Sequence, residues 1–307
     1  MIHTLTPNPS LDLRLYVDAP ELGQLNRASR EEFEASGKGL NVARALSEQD
    51  VPVRAVLPLG GPTGAHLLAL LAGLPLQVET VLWEGTTRIN VKVLDRQGGV
   101  SEFNSPGPRV THGEWQRLEE RLLQGIKPGD WVALSGSLPL GISAEDYLTL
   151  IRRLHHQGVF VALDAGGRLL RDCLSERPEL IKPNLREAEE ALGQTLVSLE
   201  ELRDAALQLH SLGARTVVLS MGAEGAVFTG TQVCWAQPPQ SPIAQTLGCG
   251  DALLAGTLAG LTRGLSWCDT ARLASAWALG RALRPGPEFP KATHTAPLLP
   301  LIQVKPL

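Results

Sequence analysis

Cysteine is scarce in this chain and follows no pattern. The four residues, Cys173, Cys234, Cys249 and Cys268, include no C-x-x-C pair and have no histidines at zinc spacing beside them. The seven histidines, His3, His66, His112, His155, His156, His210 and His294, show neither metal nor triad spacing. These absences exclude a disulfide framework and a zinc site, and they predict reduced thiols in a cytoplasmic chain. A basic excess is also missing: 28 Lys and Arg stand against 32 Asp and Glu, for a net charge of −4. No broad positive field exists for nucleic acid or anionic lipid, so any phosphate ligand must be held locally. No uncharged apolar run reaches the roughly 18 residues of a membrane span. The opening "MIHTLTPNPSLD" has neither the basic nor the apolar region of a signal peptide. There is no G-x-x-x-x-G-K-[ST] phosphate loop and no G-x-S-x-G elbow, so "SGSLP" at 135–139 is not read as a nucleophile turn.

What is present is a long chain with ample apolar content. It has 307 residues, 43% hydrophobic and 20% charged, a composition that packs a core and argues against disorder. Short β-like runs alternate with amphipathic helical runs. "VRAVLPLG" precedes "GAHLLALLAGL", "DWVALSGS" precedes "SAEDYLTLIRRLHHQG", and "VFVALDAG", "ELIKPN" and "TVVLSMG" follow in turn. From about residue 130 the strands are continuous apolar runs, as strands covered on both faces require. The alternation predicts an α/β fold with a doubly wound, mostly parallel sheet. Two segments break the rhythm. "LDLRLYVDAP" (11–20) and "TRINVKVLDRQGGVSEFN" (87–104) alternate apolar and polar residues, the second with Gly98-Gly99 at a hairpin turn. Period-2 alternation marks half-exposed strands, and these predict a small antiparallel sheet acting as a lid. The expected organisation is one domain over 1–307, with lid strands at about 11–35 and 87–105 inserted in it. The Pro-rich tail "RPGPEFPKATHTAPLLP" is expected to be an irregular connection followed by a short final helix.

The glycines concentrate where the chemistry is expected. In "TLGCGDALLAG" (246–256), Gly248, Cys249 and Gly250 lead directly into an apolar helical run, with Asp251 at its mouth. Glycines free the first amides of the helix to point outward, and those amides with the helix dipole make an anion site. Asp251 fits a helix cap, and it equally fits a base that takes a proton from an attacking hydroxyl. "SGKGLNVARAL" (36–46) is a second glycine-rich entry, with Gly37, Lys38 and Asn41. Here lysine supplies a point charge and asparagine can bond hydroxyls. "IKPNLREAEE" (181–190) places Lys182, Asn184 and Glu187 at a strand end and helix start. Asn184 and Glu187 form a capping-box pattern, and they also suit magnesium-bound water or phosphate oxygens. "TRINVKV" (87–93) puts Arg88, Asn90 and Lys92 on one strand face. Over a cleft that face suits a sugar phosphate, with Arg88 as a bidentate phosphate ligand.

In order along the chain, "TPNPSLD", "GKGLNVARAL", "TRINVKV", "SGSLP", "IKPNLREAE", "SMGAEGAV" and "GCGDALLAG" resemble the ribokinase-like, or PfkB, carbohydrate kinases. The likeness spans nearly the whole chain and is strongest to the 1-phosphofructokinase and tagatose-6-phosphate kinase branch. It implies an α/β sandwich with a β lid that often forms a homodimer interface, and ATP with Mg2+ as phosphoryl donor. By motif match, Asp251 is the base and the amides of Gly248, Cys249, Gly250 and Asp251 form the anion hole. Lys182, Asn184 and Glu187 lie near the ATP phosphates and magnesium, the last two holding the metal through water. Ser220, Met221, Gly222, Ala223, Glu224 and Gly225 contact the nucleotide. Asp12 binds sugar hydroxyls, and Gly37, Lys38, Asn41, Arg88 and Ser137 are further substrate contacts. The chain departs from the family pattern at Ser36, Cys249 and Met221, where the pattern has Gly, Ala and Leu. None of these removes a charge.

The reaction expected from the resemblance is in-line transfer of a phosphoryl group to a primary hydroxyl of a ketohexose phosphate. The pseudo-symmetry of a ketofuranose leaves fructose 1-phosphate, fructose 6-phosphate and tagatose 6-phosphate open on the motifs alone. "TRINVKV", "EFN" and a non-glycine before "GKG" resemble the 1-phosphofructokinase pattern and favour fructose 1-phosphate, giving fructose 1,6-bisphosphate. The alternatives are a tagatose-6-phosphate kinase, a 6-phosphofructokinase and a non-catalytic sugar-phosphate-binding regulator. Neither nucleic acid nor membrane is expected as a partner. Cys249, at a helix N-terminus, is expected to carry a depressed pKa and to inactivate the enzyme when alkylated, with ATP protecting.

Overall fold

A computed structural model describes residues 1–307. Ten strands form one sheet and four form a second. The centre of the large sheet is β1 (Ile2–Leu5), paired parallel with β4 (Val53–Leu59) on one side and β8 (Trp131–Ser135) on the other. Beyond β4 lies β5 (Gln77–Leu82). Beyond β8 follow β9 (Phe160–Asp164), the two-residue β10 (Leu180–Ile181) and β11 (Val217–Ser220), all parallel. The sheet then turns antiparallel through β12 (Ala226–Thr229), β13 (Val233–Gln237) and β14 (Gln303–Pro306).

Helices cover both faces, which explains the apolar runs of β8, β9 and β11. On one face, α1 (Lys38–Ser47), α2 (Gly61–Leu71), α8 (Cys249–Thr262) and α9 (Trp267–Ala282) pack around Leu40, Leu46, Leu254, Leu258 and Trp277. On the other face, α3 (His112–Leu123), α4 (Ala144–His156), α5 (Gly167–Cys173), α6 (Leu185–Leu192) and α7 (Leu199–Ser211) enclose Trp115, Leu118, Tyr147, Leu150 and Leu209. The helix starts are written locally. Thr111 with Glu114, Ser143 with Asp146, Asn184 with Glu187 and Ser198 with Glu201 each close a reciprocal capping box, satisfying backbone donors that would otherwise be orphaned.

The second sheet has the order β3-β2-β6-β7, from β3 (Arg30–Ser36), β2 (Ser10–Tyr16), β6 (Arg88–Leu94) and β7 (Val100–Phe103). Its outer pairs are antiparallel, but β2 and β6 at its centre run parallel. The chain leaves this sheet after β3, passes through α1, β4, α2 and β5, and re-enters at the same end, so β6 cannot reverse against β2. The registers sort the side chains by face. Phe33, Leu13, Val91 and Phe103 form one cross-strand row, and Glu34, Asp12 and Asn90 form the neighbouring row on the opposite face.

The tail differs from the expected final helix. After a short α10 (Ala292–Thr295) and a 3-10 turn, residues 303–306 form β14 against β13. The antiparallel hairpin β12–β13 would otherwise present an open edge, and β14 covers it.

Candidate active site

The order of the large sheet switches direction at β1, and the crevice outside the carboxyl ends of the strands at such a point is where α/β folds bind ligands. Here β1 runs straight on through Thr6, Pro7, Asn8 and Pro9 into β2, so the small sheet rises over that crevice. Between them lies a cleft of about 1180 Å³. Every residue singled out from the sequence lines it except Met221.

At the head of the cleft is the turn into α8. Gly248 is the N-cap in the left-handed region, at φ 77° and ψ 1°, which a side chain would resist. The N–H groups of Gly248, Gly250 and Asp251 have no acceptor within the chain, whereas Cys249 N–H, expected to join them, donates to the Thr246 carbonyl at 3.4 Å. The three free donors border the cleft with the positive end of the helix behind them. Asp251, in the first turn, is 8% exposed. Burial raises its pKa and the like charge of Asp164 raises it further; a hydrogen bond from Asn41 and the charges of Lys38 and Lys182 oppose the shift. Asn41 Nδ2 donates to Asp251 Oδ2 at 2.8 Å. The residue expected to bond sugar hydroxyls therefore fixes the carboxylate as well.

Asp164 is a cleft side chain that the sequence reading missed. It ends β9, is fully buried, and lies between two lysines. Lys38 Nζ approaches Oδ1 at 2.9 Å and Lys182 Nζ approaches Oδ2 at 3.2 Å. Burial works against its charge, but Lys182 and Lys38 outweigh burial and leave its pKa lowered. Lys38 Nζ also donates to Glu187 Oε1 at 3.1 Å. A carboxylate closing an otherwise apolar strand, "VFVALD", is the signal that could have found it, because an acid there is aimed at the crevice and needs a partner. Lys38 reaches this network from a tight entry: its preceding residue Gly37 has φ 134°, and a Cβ there would meet Thr6 Cγ2 at 2.5 Å.

Across the cleft, the polar face of the small sheet presents Asp12. Ser10 Oγ donates to its Oδ1 at 2.5 Å, Asn90 Nδ2 to the same oxygen at 3.1 Å, and Lys92 Nζ lies 2.6 Å from Oδ2. Asn90 and Lys92 thus join Asp12 as one preorganised group. Arg88 is spent differently from the bidentate phosphate grip expected of it. Its Nη1 and Nη2 donate to the carbonyls of Ser105 and Asn8 at 2.9 and 2.7 Å, which ties the small sheet to the β1–β2 connection. Each of those nitrogens keeps one further hydrogen, and Nε is buried without a partner. Ser137 Oγ accepts from Asn8 Nδ2 at 3.5 Å.

The other wall carries the residues expected at the nucleotide. Ser220 ends β11, and Gly222 to Gly225 form a 3-10 turn and its exit beside the cleft. The Met221 side chain does not line the cleft and packs instead on the apolar cluster beneath the sheet. Asn184 and Glu187 make the capping box, with Glu187 N–H to Asn184 Oδ1 at 2.9 Å and Asn184 N–H to Glu187 Oε2 at 3.0 Å. The loop from Gln237 to Gln245, with Ala278 and Ala282 of α9, completes a corner of mixed polar and apolar side chains that no motif announced.

Cys249 is a second correction. Its position at the start of α8 does not depress its pKa. Burial pushes the thiol up to about 11, against a partial offset from Arg281, and its Sγ lies 3.8 Å from the Gln245 carbonyl. Little thiolate exists near neutrality, so iodoacetamide at pH 7.5 should modify Cys249 about a hundredfold more slowly than an unperturbed thiol. Peptide mapping over a time course would show it, and rapid labelling at that pH would contradict the burial argument.

A buried carboxylate beside unpartnered helix amides, at the switch point of a doubly wound sheet, suits phosphoryl transfer to a hydroxyl, the amides holding an anion and the carboxylate taking a proton. The chain belongs to the pfkB family of carbohydrate kinases, whose profile matches residues 8–293. It is 38% identical to a 1-phosphofructokinase of Rhodobacter capsulatus, over 100% of this chain and 98% of that protein. It is 35% identical to a 1-phosphofructokinase of Escherichia coli K12, over 90% of this chain and 88% of the other. Among solved structures, phosphofructokinase-2 from Escherichia coli, in complex with substrates and products, superposes with TM-score 0.93 at 31% identity, covering 97% of this chain and 98% of that one. A possible 1-phosphofructokinase from Thermotoga maritima gives TM-score 0.88 at 26% identity, covering 100% and 99%. The protein is a PfkB sugar-phosphate kinase.

Proposed function

We propose that this kinase transfers the γ-phosphoryl group of ATP to the free primary hydroxyl of fructose 1-phosphate, giving fructose 1,6-bisphosphate. The observation that carries the reading is the placement of Asp251. Its carboxylate shares the cleft with three unpartnered amides on one side and the Asp12 group on the other. In this scheme Asp12, held by Ser10, Asn90 and Lys92, accepts from the sugar hydroxyls and sets the ring. The remaining Nη hydrogens of Arg88 take the distal phosphate. Asp251 takes the proton as the hydroxyl oxygen bonds to phosphorus and the bond to the departing ADP oxygen breaks. The amides of Gly248, Gly250 and Asp251 receive the charge on the equatorial oxygens.

The residues fit ATP with Mg2+ in a particular way. No three His, Cys, Asp or Glu side chains assemble a metal site, and both Glu187 oxygens already accept hydrogen bonds. Asn184 and Glu187 therefore suit a magnesium ion held mainly by phosphates and water, which would neutralise charge during transfer. Lys182 and the Ser220–Gly225 turn would take the phosphates and nucleotide.

Fructose 6-phosphate binding by a relative such as phosphofructokinase-2, seen in its solved complex with that sugar phosphate, keeps the opposite sugar orientation as the second reading; tagatose 6-phosphate is the third. Release of ADP with MgATP and each of the three sugar phosphates separates them. Fructose 1-phosphate should show kcat/KM at least about tenfold above the others, about 1.4 kcal/mol of discrimination. A preference for a 6-phosphate would reverse the sugar, and no turnover with any of them would return the regulator reading. A homodimer through the lid accords with the row Phe33, Leu13, Val91 and Phe103, whose end members are 38% and 55% exposed.

A further inference from the structure

Behind the glycine turn stands a set of charges that the transfer scheme does not use. Arg281, on α9, is 1% exposed. Its Nη1 and Nη2 donate to the carbonyls of Arg284 and Gly286 at 3.3 and 3.0 Å, and its guanidinium carbon lies 5.1 Å from the centre of the Phe289 ring. Its Nε has no partner. A Cβ on Gly248 would stand 3.2 Å from that nitrogen, so the unsatisfied edge of the guanidinium lies against the turn. Nearby, Glu34 takes Arg14 at 2.7 Å and Arg44 at 3.0 Å. Gln245 joins the two halves, accepting from Arg14 and donating to the carbonyls of Arg284 and Gly286.

The charge count does not close. Arg14, Arg44 and Arg281 carry three positive charges against the single negative charge of Glu34, leaving an excess of two in a region largely removed from water. Desolvation lowers the pKa of Arg281 to about 10, which still leaves it charged at neutral pH. An uncompensated buried cation is costly unless an anion comes to it. The anion-binding groups beside it are the open amides of the α8 turn.

We infer that Arg281 is a positioning residue of the anion hole, holding the Gly248 turn against the 284–286 loop and lending fixed positive charge to the phosphoryl group received there. The inference rests on reading that turn as the phosphoryl site. Arg14 and Glu34 belong to the small sheet, so the same cluster anchors the root of that sheet to the turn. A purely structural cap on the 284–286 carbonyls would stabilise the fold equally with and without a bound anion. A fixed charge acts most strongly when negative charge develops in the site.

The test compares full-length wild type, Arg281→Met and Arg281→Lys in turnover with the preferred sugar phosphate. It also measures affinity for MgADP alone and for MgADP with aluminium fluoride, an anionic mimic of the transferring group. Arg281→Met should lower kcat by about 10- to 100-fold, somewhat less than removal of a direct oxyanion donor. KM for the sugar and affinity for MgADP should stay within about threefold, while affinity for the fluoride complex falls in step with kcat. Arg281→Lys should recover most of both losses. If Arg281→Met does not fold, Glu34→Gln decides: it raises the local positive charge without touching Arg281, and should tighten the fluoride complex. A folded Arg281→Met with unchanged kcat and mimic affinity overturns the inference, as does a Glu34→Gln that leaves mimic affinity unchanged or weaker. A wild type that neither turns over nor binds the mimic overturns the underlying reading of the turn, and this inference with it.

Discussion

Replacing Asp251 by Asn should cut phosphoryl transfer by at least about 10²- to 10⁴-fold, the usual loss for a general base, while ATP still binds. The geometry explains why the loss should fall on kcat. Asn41 holds Asp251 Oδ2 at 2.8 Å, and an asparagine oxygen accepts the same bond, so the site keeps its shape and loses only its proton acceptor. Stability should move the other way. The folded-state pKa of Asp251 is raised, first by burial and then by Asp164. Such a group favours the fold below its unfolded pKa, and that contribution is lost as pH rises through the folded pKa. Above its folded pKa the wild-type carboxylate is held charged against its environment, so Asp251→Asn should melt at a higher temperature than wild type there, with the gap closing in acid. Single-turnover kinetics and thermal melts at pH 5 and 7.5 would check both. Near-normal turnover by Asp251→Asn would remove the central chemical claim.

The second large effect is expected at Asp164. Asp164→Asn leaves Lys38 and Lys182 without the carboxylate that both approach, and breaking a buried charge pair in this way costs about 3–5 kcal/mol. For a domain of this size that corresponds to a fall in Tm of roughly 6–15 °C. The wild-type contribution comes from a depressed carboxylate pKa. It is present above the unfolded pKa and disappears as pH drops through the folded one, so the difference in Tm should be full at neutral pH and shrink on acidification. Loss of the Asp164 charge also relieves Asp251 of a like neighbour, so the acid limb of the kcat/KM profile should shift to lower pH. A variant with wild-type Tm and an unmoved acid limb would show that the lysines find other partners.

Much of the site was legible because its parts are local. Gly248, Gly250 and Asp251 sit within one turn, and the consequence of glycines before a helix can be worked out from backbone geometry alone. The same holds for Asn184 and Glu187, whose capping box needs only a three-residue spacing. Asp164 was legible only as an acid closing an apolar strand; its meaning lies in two lysines from α1 and the β10 exit, distant in sequence and joined only by the parallel sheet. Cys249 misled for a related reason. Helix-terminal position is visible in sequence, but burial of the thiol against Gln245 and Arg281 is a tertiary fact, and desolvation outweighs the helix dipole. In the fold, alternation identified the small sheet's strands, yet the parallel pairing of β2 with β6 depends on the route between them. β14 was missed because residues 303–306 have little strand character until β13 offers them an unpaired edge.

The open flanks of the four-stranded sheet have a consequence for solubility. A half-exposed sheet carrying an apolar face has two rows of unpaired backbone groups, which invite strand addition by any neighbour. The β3 flank is studded with Arg30, Glu31 and Glu32, so extension there would stack like charges at close range. The β7 flank is only four residues long and carries Glu102. Charge and brevity thus act as gatekeepers against fibre-like growth, and removing Glu31 and Glu32 would open the β3 flank to strand addition.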